Sequence, residues 1–509
     1  LKNADPATFD ILVVGGGPAG VTAALRAREL GAERVALVER GERLGGVCTN
    51  DGCVPTRVLA RAARLLRDAG QWGDFGVTGG GAPPRIDIAC LMAHVRETVD
   101  RVHAKKGLPG HLEEAGVSVY AGAGAARLVD PHTVELPDRG GERLRAEKII
   151  LCPGGHARRP PFPGAELAVT HSGLWDLDRL PGSLLVVGAA ATGCQIASVM
   201  AAFGVPEVTL VEMAPRVLTG EDPVVSEAVA AGLSAQGVNV LTGVAGGVAR
   251  IDALPDGRRR VALKRDREED GEPEHVEAEL VVLCVGWPGN VEGLGLEAAG
   301  VQVERGYVKV DDTLLCAGTS HVWAAGDLTG RMMLVQSALD EGRIAAENAV
   351  TGAGRADSHT VVPHGGFTDP EYASVGPTEE RARTAEPECI AVTVPYADLD
   401  RAVIDGRTAG AFKLLVSRAS GAVLGAHVAG EQALEVIHLI AGAMAAGAPV
   451  EALADLELAY PTYSAVVGLA ARQACRELGR VALAETGRDL LARRPRAAEW
   501  ERNCRPYNG

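Results

Sequence analysis

The apolar run Ile11-Leu12-Val13-Val14 stops abruptly at Gly15-Gly16-Gly17-Pro18-Ala19-Gly20, and from Val21 to Leu30 apolar positions recur at helical spacing. This pattern predicts a strand, a tight turn and a helix. A second apolar strand, Val35 to Val38, follows and closes on Glu39. The plan then returns: Ser183 to Val187, Gly188-Ala189-Ala190-Ala191-Thr192-Gly193, a helix through Phe203, a strand Val208 to Val211, and Glu212. In each copy the acidic residue stands 24 positions after the first glycine. Two dinucleotide-type folds are written into one chain.

Between the copies, Val54 to Gly116 reads as largely helical, and strands within Val117 to Ile150 lead back to the first sheet. Arg250 to Leu283 alternates around a polar interruption, which predicts a β-meander closing the second fold. From Val361 the texture changes to strands (Ala391 to Val394, Phe412 to Val416, Val423 to Val428) and then helices (Leu434 to Ala445, Ser464 to Leu478), the pattern of an α+β domain. The fold class expected is thus α/β: two Rossmann-like dinucleotide-binding domains and a C-terminal α+β domain. Residues 1–160 with 285–355 form the first, 161–284 the second and 356–478 the third. Residues 479–509, rich in Arg and Glu, read as a surface extension.

A length of 509 residues, at roughly 150 per domain, agrees with three domains. With 51 Lys and Arg against 66 Asp and Glu, the net charge of −15 repels phosphate-rich polymers and argues against nucleic acid as a partner. The basic run Arg258-Arg259-Arg260 is soon answered by Glu268, Glu269 and Asp270, as in a solvated hairpin. The first residues lack the pattern of a secretory signal, so the expected location is cytoplasmic. Leu184 to Pro206 is uncharged but interrupted by glycines and polar residues; a strand, turn and buried helix fit it better than a membrane span. Ten cysteines are too few for a disulfide scaffold, and eight stand singly.

Gly15-x-Gly17-x-x-Gly20 is a weak signal alone, but here it follows a strand, opens a helix and is answered by Glu39. Glycines let the backbone approach a pyrophosphate, the helix N-terminus stabilises its charge, and the carboxylate accepts ribose hydroxyls. In the second copy, Gly188 and Gly193 flank Ala190, which replaces the middle glycine. Glu212 would repel a ribose 2′-phosphate, so NAD(H) is expected over NADP(H), with nearby Arg216 as the counterweight.

The remaining two cysteines lie in Gly45-Gly46-Val47-Cys48-Thr49-Asn50-Asp51-Gly52-Cys53-Val54-Pro55-Thr56-Arg57. Five positions along a regular helix separate residues by about 140° and about 7.5 Å of rise, too far for a disulfide, so a bridge requires a distorted turn. Gly52 supplies that freedom, and Gly45-Gly46 permits close approach to a flat cofactor. A structural pair, or half of a metal site, is the alternative. No second Cys or His pair at ligand spacing accompanies it, so no metal centre is expected.

With these residues in view, the sequence resembles the class I pyridine nucleotide-disulfide oxidoreductases, which include dihydrolipoamide dehydrogenase, glutathione reductase and mercuric reductase. The likeness spans about residues 8 to 478: the cysteine motif, both nucleotide motifs, Thr319-Ser320-His321-Val322-Trp323-Ala324-Ala325-Gly326-Asp327, and Phe367-Thr368-Asp369-Pro370-Glu371. The resemblance implies that the first fold binds FAD beside Gly46, that Asp327 holds its ribityl chain, that the second fold binds the nicotinamide cofactor and that the third domain makes a homodimer. Electrons would pass from NADH through flavin to a Cys48–Cys53 disulfide. Cys53 would be the flavin-side thiolate, and Cys48 the thiol that meets a small-molecule substrate.

Departures from the family pattern bear on the substrate. Where disulfide-reducing members carry His-Pro-Thr and a later glutamate, this chain reads Tyr460-Pro461-Thr462-Tyr463-Ser464-Ala465. An unperturbed Tyr, with a pKa of about 10, is a poor acid-base at neutral pH beside a His near 6.5. Acid-base help is worth about 10² to 10⁴ in rate, so ordinary dithiol–disulfide exchange is expected to suffer. The family's lysine after Pro-Ser/Thr is Arg57, and its usual glutamate partner is Gln195, so Arg57 is expected to lose a titratable partner. Cys152 reads as a small buried residue, Cys504 as a lone thiol on the extension, and His427 and Glu435 as structural.

The expectation is an FAD-dependent, NAD(P)H-linked oxidoreductase acting on a non-standard substrate. Its alternatives are a mercuric-reductase-like or diaphorase activity, a biosynthetic flavin–thiolate enzyme, and a non-catalytic flavoprotein scaffold. Two intact cysteines in the flavin-facing motif argue against the scaffold.

Overall fold

The computed structural model describes residues 7–79, 83–264 and 274–480. The strand Ala7–Val14 is buried along Ile11–Val14, as a central strand covered on both faces must be. It pairs in parallel with Val35–Val38 and with Glu142–Leu151, and Val117–Tyr120 extends the sheet beyond Val35–Val38. The other edge of Glu142–Leu151 is shared. Its first half runs antiparallel to Thr133–Leu136, and its second half runs parallel to Val322–Ala324. Through that short strand the chain returns to the first sheet after the second fold and sets Gly326 and Asp327 at its carboxyl edge.

The second sheet is all parallel, in the order Leu280–Leu283, Ser183–Val187, Glu207–Val211, Asn239–Leu241. The predicted meander forms, but apart from this sheet. Gly247–Ala253, Arg259–Lys264 and Glu274–Ala278 form an antiparallel sheet of their own. Only the continuous apolar run Leu280–Leu283 enters the parallel sheet, because a strand covered on both faces cannot carry the alternating polar positions of the other three. Arg258 pairs with Asp256 and Glu277 at 2.7 and 3.0 Å and Arg260 with Glu277 at 2.8 Å, so the basic run is bound up within that small sheet. The acidic residues 268–270 lie outside the described residues.

Leu184 to Pro206 folds as a strand, a turn and the helix Ala191–Ala202, and no described helix is long and apolar enough to cross a membrane. The region between the two nucleotide folds contains the helices Cys53–Ala69, Ile88–Lys106 and Leu108–Glu114. Residues 71–79 are not helical and leave Trp72, Phe75 and Val77 exposed.

The C-terminal domain is a five-stranded antiparallel sheet in the order His364–Gly366, Tyr372–Val375, Val423–Ala429, Ala411–Val416, Ile390–Pro395. The helices Ala433–Ala445 and Ala465–Leu478 pack on it around Tyr396, Phe412, Ile437 and Val466. Its first two strands are short, three and four residues, and the first is mostly glycine, so sequence pattern gives no warning of them.

Candidate active site

The two nucleotide motifs are built alike atom by atom. Glu39 accepts from the Gly16 and Gly41 amides at 2.7 and 2.9 Å; Glu212 accepts from the Ala189 and Ala214 amides at the same two distances. A Cβ on Gly20 would lie 1.8 Å from the Gly15 carbonyl oxygen, and one on Gly193 would lie 1.8 Å from that of Gly188. In both copies, therefore, only glycine lets helix and strand pack this closely. Ala190 has φ/ψ of −77/−173° against −75/−173° for Gly17, so its methyl leaves the backbone of the turn unchanged. The helices Pro18–Glu29 and Ala191–Ala202 begin at these residues without a side-chain cap or an acidic residue in the first turn. Their first N–H groups are available to an anion.

The redox motif is strapped to the first of these cradles. Gly45 donates its amide to the Gly16 carbonyl at 2.8 Å, and a Cβ on Gly46 would lie 2.9 Å from the Gly17 Cα. Cys48 lies in the short helix Gly46–Asn50, Asp51 and Gly52 break the helical path, and Cys53 opens the helix Cys53–Ala69. That break is the distorted turn the spacing demands. Asn50 pins it by donating to the Leu44 and Gly46 carbonyls at 3.2 and 2.9 Å, and its Oδ1 meets His103 Nε2 at 2.6 Å.

Cys48 and Cys53 carry free thiols, with Cys48 partly buried and Cys53 exposed. The interaction between the two sulfur groups is the main cause that lowers the Cys53 pKa and raises that of Cys48; burial opposes the first effect and adds to the second. Lys106, which also donates to Thr49 Oγ1 at 2.9 Å, favours the thiolate electrostatically, and Asp327 opposes it. The pair is thus polarised toward a Cys53 thiolate beside a protonated Cys48.

Apart from Asp327, the residues that support this region carry no sequence signal. Asp51, inside the motif, accepts from Ser172 at 2.7 Å and from Trp175 Nε1 at 2.6 Å, and pairs with His171 at 3.3 Å. Burial works against its charge, but the hydrogen bonds from His171, Ser172 and Trp175 outweigh it and hold the pKa below the ordinary value. Asp327 accepts from Trp287 Nε1 at 2.8 Å, and burial raises its pKa. Glu341 accepts from the Gly326 amide at 2.6 Å and so fixes the turn that carries Asp327. His359 Nε2 lies 2.8 Å from both Glu341 and Asp357, a convergence of three ligand-type side chains that spacing along the chain does not disclose.

Arg57 corrects an expectation. It does not lose a carboxylate partner: it reaches Glu371 at 3.4 Å and stacks on Phe367 with its guanidinium carbon 4.3 Å from the ring centre. Gln195 instead accepts from the Phe367 amide at 3.1 Å and donates to the Ala191 carbonyl at 2.9 Å. The longer, planar guanidinium bridges to the C-terminal domain.

Tyr460 is 66% exposed and donates its hydroxyl to Asp400 Oδ2. This pair lies in the C-terminal domain near the end of the helix Cys53–Ala69 that is remote from Cys53; the domain reaches that end through Gln71–Asp405 and Arg407–Asp68 contacts. One chain therefore does not bring Tyr460 to its own cysteines. Ala465 begins the helix Ala465–Leu478, while the neighbouring Tyr463 is buried and donates to Asp405 at 2.9 Å. His427 is buried between Ser374 and the Pro377 carbonyl, Glu435 is exposed, and Cys152 is buried. Cys504 lies outside the described residues.

The uncapped helix ends, the glycine contacts and the paired carboxylates fit two dinucleotides, and the dithiol is tied to the first cradle. Comparison with known proteins agrees. Residues 9–342 match the pyridine nucleotide-disulphide oxidoreductase family and residues 362–471 its dimerisation domain. Dihydrolipoyl dehydrogenase of Chlorobaculum parvum is 33% identical over 476 residues, covering 93% of this chain and 98% of that protein. Mercuric reductase of Bacillus cereus is 30% identical over 472 residues, covering 91% of this chain and 71% of that one. A structure titled as the Cu(II) complex of the HOCl-induced flavoprotein disulfide reductase RclA from Escherichia coli superposes with a TM-score of 0.79 at 27% identity, over 92% of this chain and 99% of that one. With two nucleotide folds, a dithiol motif and a dimerisation domain in this order, the chain belongs to the class I pyridine nucleotide-disulfide oxidoreductases, enzymes that use FAD and NAD(P)H.

Proposed function

We propose that this protein is a homodimeric, NADH-linked flavoprotein that delivers electrons through Cys48 and Cys53 to a thiophilic metal ion and not to an organic disulfide. The observation that carries this reading is the Tyr460–Asp400 pair. Where disulfide exchange needs a group that both takes and gives a proton, the homodimer would present to each chain's cysteines a phenol from the partner subunit, its proton held by a carboxylate. A metal-ion acceptor needs no such group, because no thiol leaves and none must be protonated. The names of two relatives, a mercuric reductase and a Cu(II) complex of a disulfide reductase, support the same substrate class.

When bound in the first cradle, FAD supplies hydride acceptance from NADH and two-electron delivery to the cysteine pair. The residues of the chain do the rest. Gly15, Gly17 and Gly20 admit the pyrophosphate, and Glu39 meets the ribose. Gly188, Gly193 and Glu212 do the same for the nicotinamide cofactor. Arg216 keeps its charge but spends its donors on the Leu218, Thr219 and Glu221 carbonyls at 3.1, 3.0 and 2.9 Å, leaving fewer to clasp a 2′-phosphate. That commitment supports NADH over NADPH. The two electrons from one NADH reduce one Hg(II) to the metal, or two Cu(II) to Cu(I), with NAD⁺ and a proton released.

Steady-state NADH oxidation with Cu(II), Hg(II), lipoamide and a benzoquinone as acceptors tests this reading. Metal-dependent turnover at least tenfold above lipoamide turnover, abolished in Cys48→Ser, is the expected result. Lipoamide as the best acceptor, or a quinone rate that exceeds the metal rates and survives Cys48→Ser, would overturn it.

A further inference from the structure

A cavity of about 390 Å³ lies between the helix Cys53–Ala69, the C-terminal end of the helix Ala191–Ala202 and the segment 367–371. It shares no lining residue with Gly15–Gly20, Glu39, Gly188–Gly193 or Glu212, so it is neither nucleotide cradle. Its volume falls in the range of about 300–1,000 Å³ usual for small-molecule sites.

The wall is unusual for a chain of net charge −15. Arg57, Arg61, Arg64 and Arg67 recur at helical spacing along one face of a single helix, and Arg85 joins them from the loop before the next. Three of these are matched. Arg57 meets Glu371 at 3.4 Å; Arg64 pairs with Glu431; and Arg67 meets Asp369 and Glu431 at 2.7 and 2.9 Å. Arg61 and Arg85 are exposed and make no ion pair or hydrogen bond through their guanidinium groups among the described residues. Five lining guanidinium groups therefore face two lining carboxylates, Asp369 and Glu371, while Glu431 and Asp68 pair with Arg64 and Arg67 from outside the cavity wall. The facing elements contribute an apolar surface, Val199, Ala202, Phe203 and Phe367. A ligand complementary to both walls carries a doubly charged anionic head and an apolar or aromatic body. Paired guanidinium forks recognise phosphate oxygens geometrically as well as by charge.

We infer that this cavity is a binding site for a small amphipathic dianion, a phosphate monoester on an aromatic or aliphatic body, with Arg61 and Arg85 as its anion ligands. The matched arginines keep the cavity open and hold the helix against Glu371 and Asp369. Arg57, four residues after Cys53 on the same helix, places the site one helical turn from the redox pair.

The test is titration calorimetry on the FAD-loaded dimer with 1-naphthyl phosphate, against inorganic phosphate and uncharged 1-naphthol. The site predicts binding at least tenfold tighter for 1-naphthyl phosphate than for either half of it, unchanged by saturating NAD⁺. Arg61→Glu and Arg85→Glu should each weaken binding tenfold or more, and Arg61→Lys by less. Ala202→Trp, which fills the cavity without touching charge, should abolish binding. FAD content and thermal midpoint report whether each variant folds. The inference is overturned if the unmodified dimer does not bind 1-naphthyl phosphate, if NAD⁺ displaces it, or if binding persists in folded Arg61→Glu and Arg85→Glu proteins.

Discussion

The interaction between their two sulfur groups divides the labour of Cys48 and Cys53. Because it lowers the Cys53 pKa, the Cys53 thiolate persists to lower pH than an ordinary thiol of about 8.5 allows. The long-wavelength thiolate-to-flavin absorbance of the NADH-reduced protein should therefore appear as pH rises with a midpoint below 8.5, read by a spectrophotometric titration under nitrogen. Cys53→Ser should abolish that band while FAD stays bound, and loss of the band in Cys48→Ser alone would reverse the roles. Glu212 makes a second test at this scale. Glu212→Ala should reduce the kcat/KM preference for NADH over NADPH by about tenfold, equivalent to about 1.4 kcal/mol; a faster reaction of the unmodified protein with NADPH would show that a cation governs the pocket. Glu39 and Glu212 are legible in the sequence because strand, turn and helix lengths fix where a carboxylate must stand. The Arg57–Glu371 pair is not, since 314 positions separate the partners and only the fold brings them together.

Elements owe their legibility to periodicity. The runs at Ile11–Val14 and Ser183–Val187 are apolar on both faces and end in glycines, so they read as central parallel strands. Strands such as Val322–Ala324 and His364–Gly366, with three residues each, are too short to show a period; they form because a longer neighbour offers an open edge. The same reasoning explains the meander, whose alternating strands separated from the parallel sheet. The close helix–strand contact in each cradle yields a test of both. Gly20→Ala and Gly193→Ala place a methyl carbon where a carbonyl oxygen stands 1.8 Å away, and the backbone must shift. Each should cost about 1–3 kcal/mol in thermal or denaturant unfolding. Gly20→Ala should lower FAD content, and Gly193→Ala should raise KM for NADH while FAD content holds; equal effects of both on FAD would contradict the assignment of the two cradles.

At the scale of the whole molecule, the chain keeps the family's electron path and changes its outlet. The path is readable in sequence because each motif is local. The outlet is not, because Tyr460 finds Asp400, a partner 60 positions away, in a part of the C-terminal domain remote from the cysteines of its own chain. If this replacement is what disfavours disulfides, Tyr460→His with Ala465→Glu should raise lipoamide turnover by about tenfold, and the double change should exceed either single one, because the carboxylate acts through the imidazole it orients. Efficient lipoamide turnover by the unmodified protein would refute that explanation. The central claim, a dithiol in electronic contact with a flavin fed by NADH, is tested most directly by anaerobic titration of the oxidised FAD-loaded protein with NADH. The account predicts uptake of two electron pairs per FAD, with the long-wavelength band developing after the first. Uptake of a single pair without the band, or no reduction at all, would contradict it.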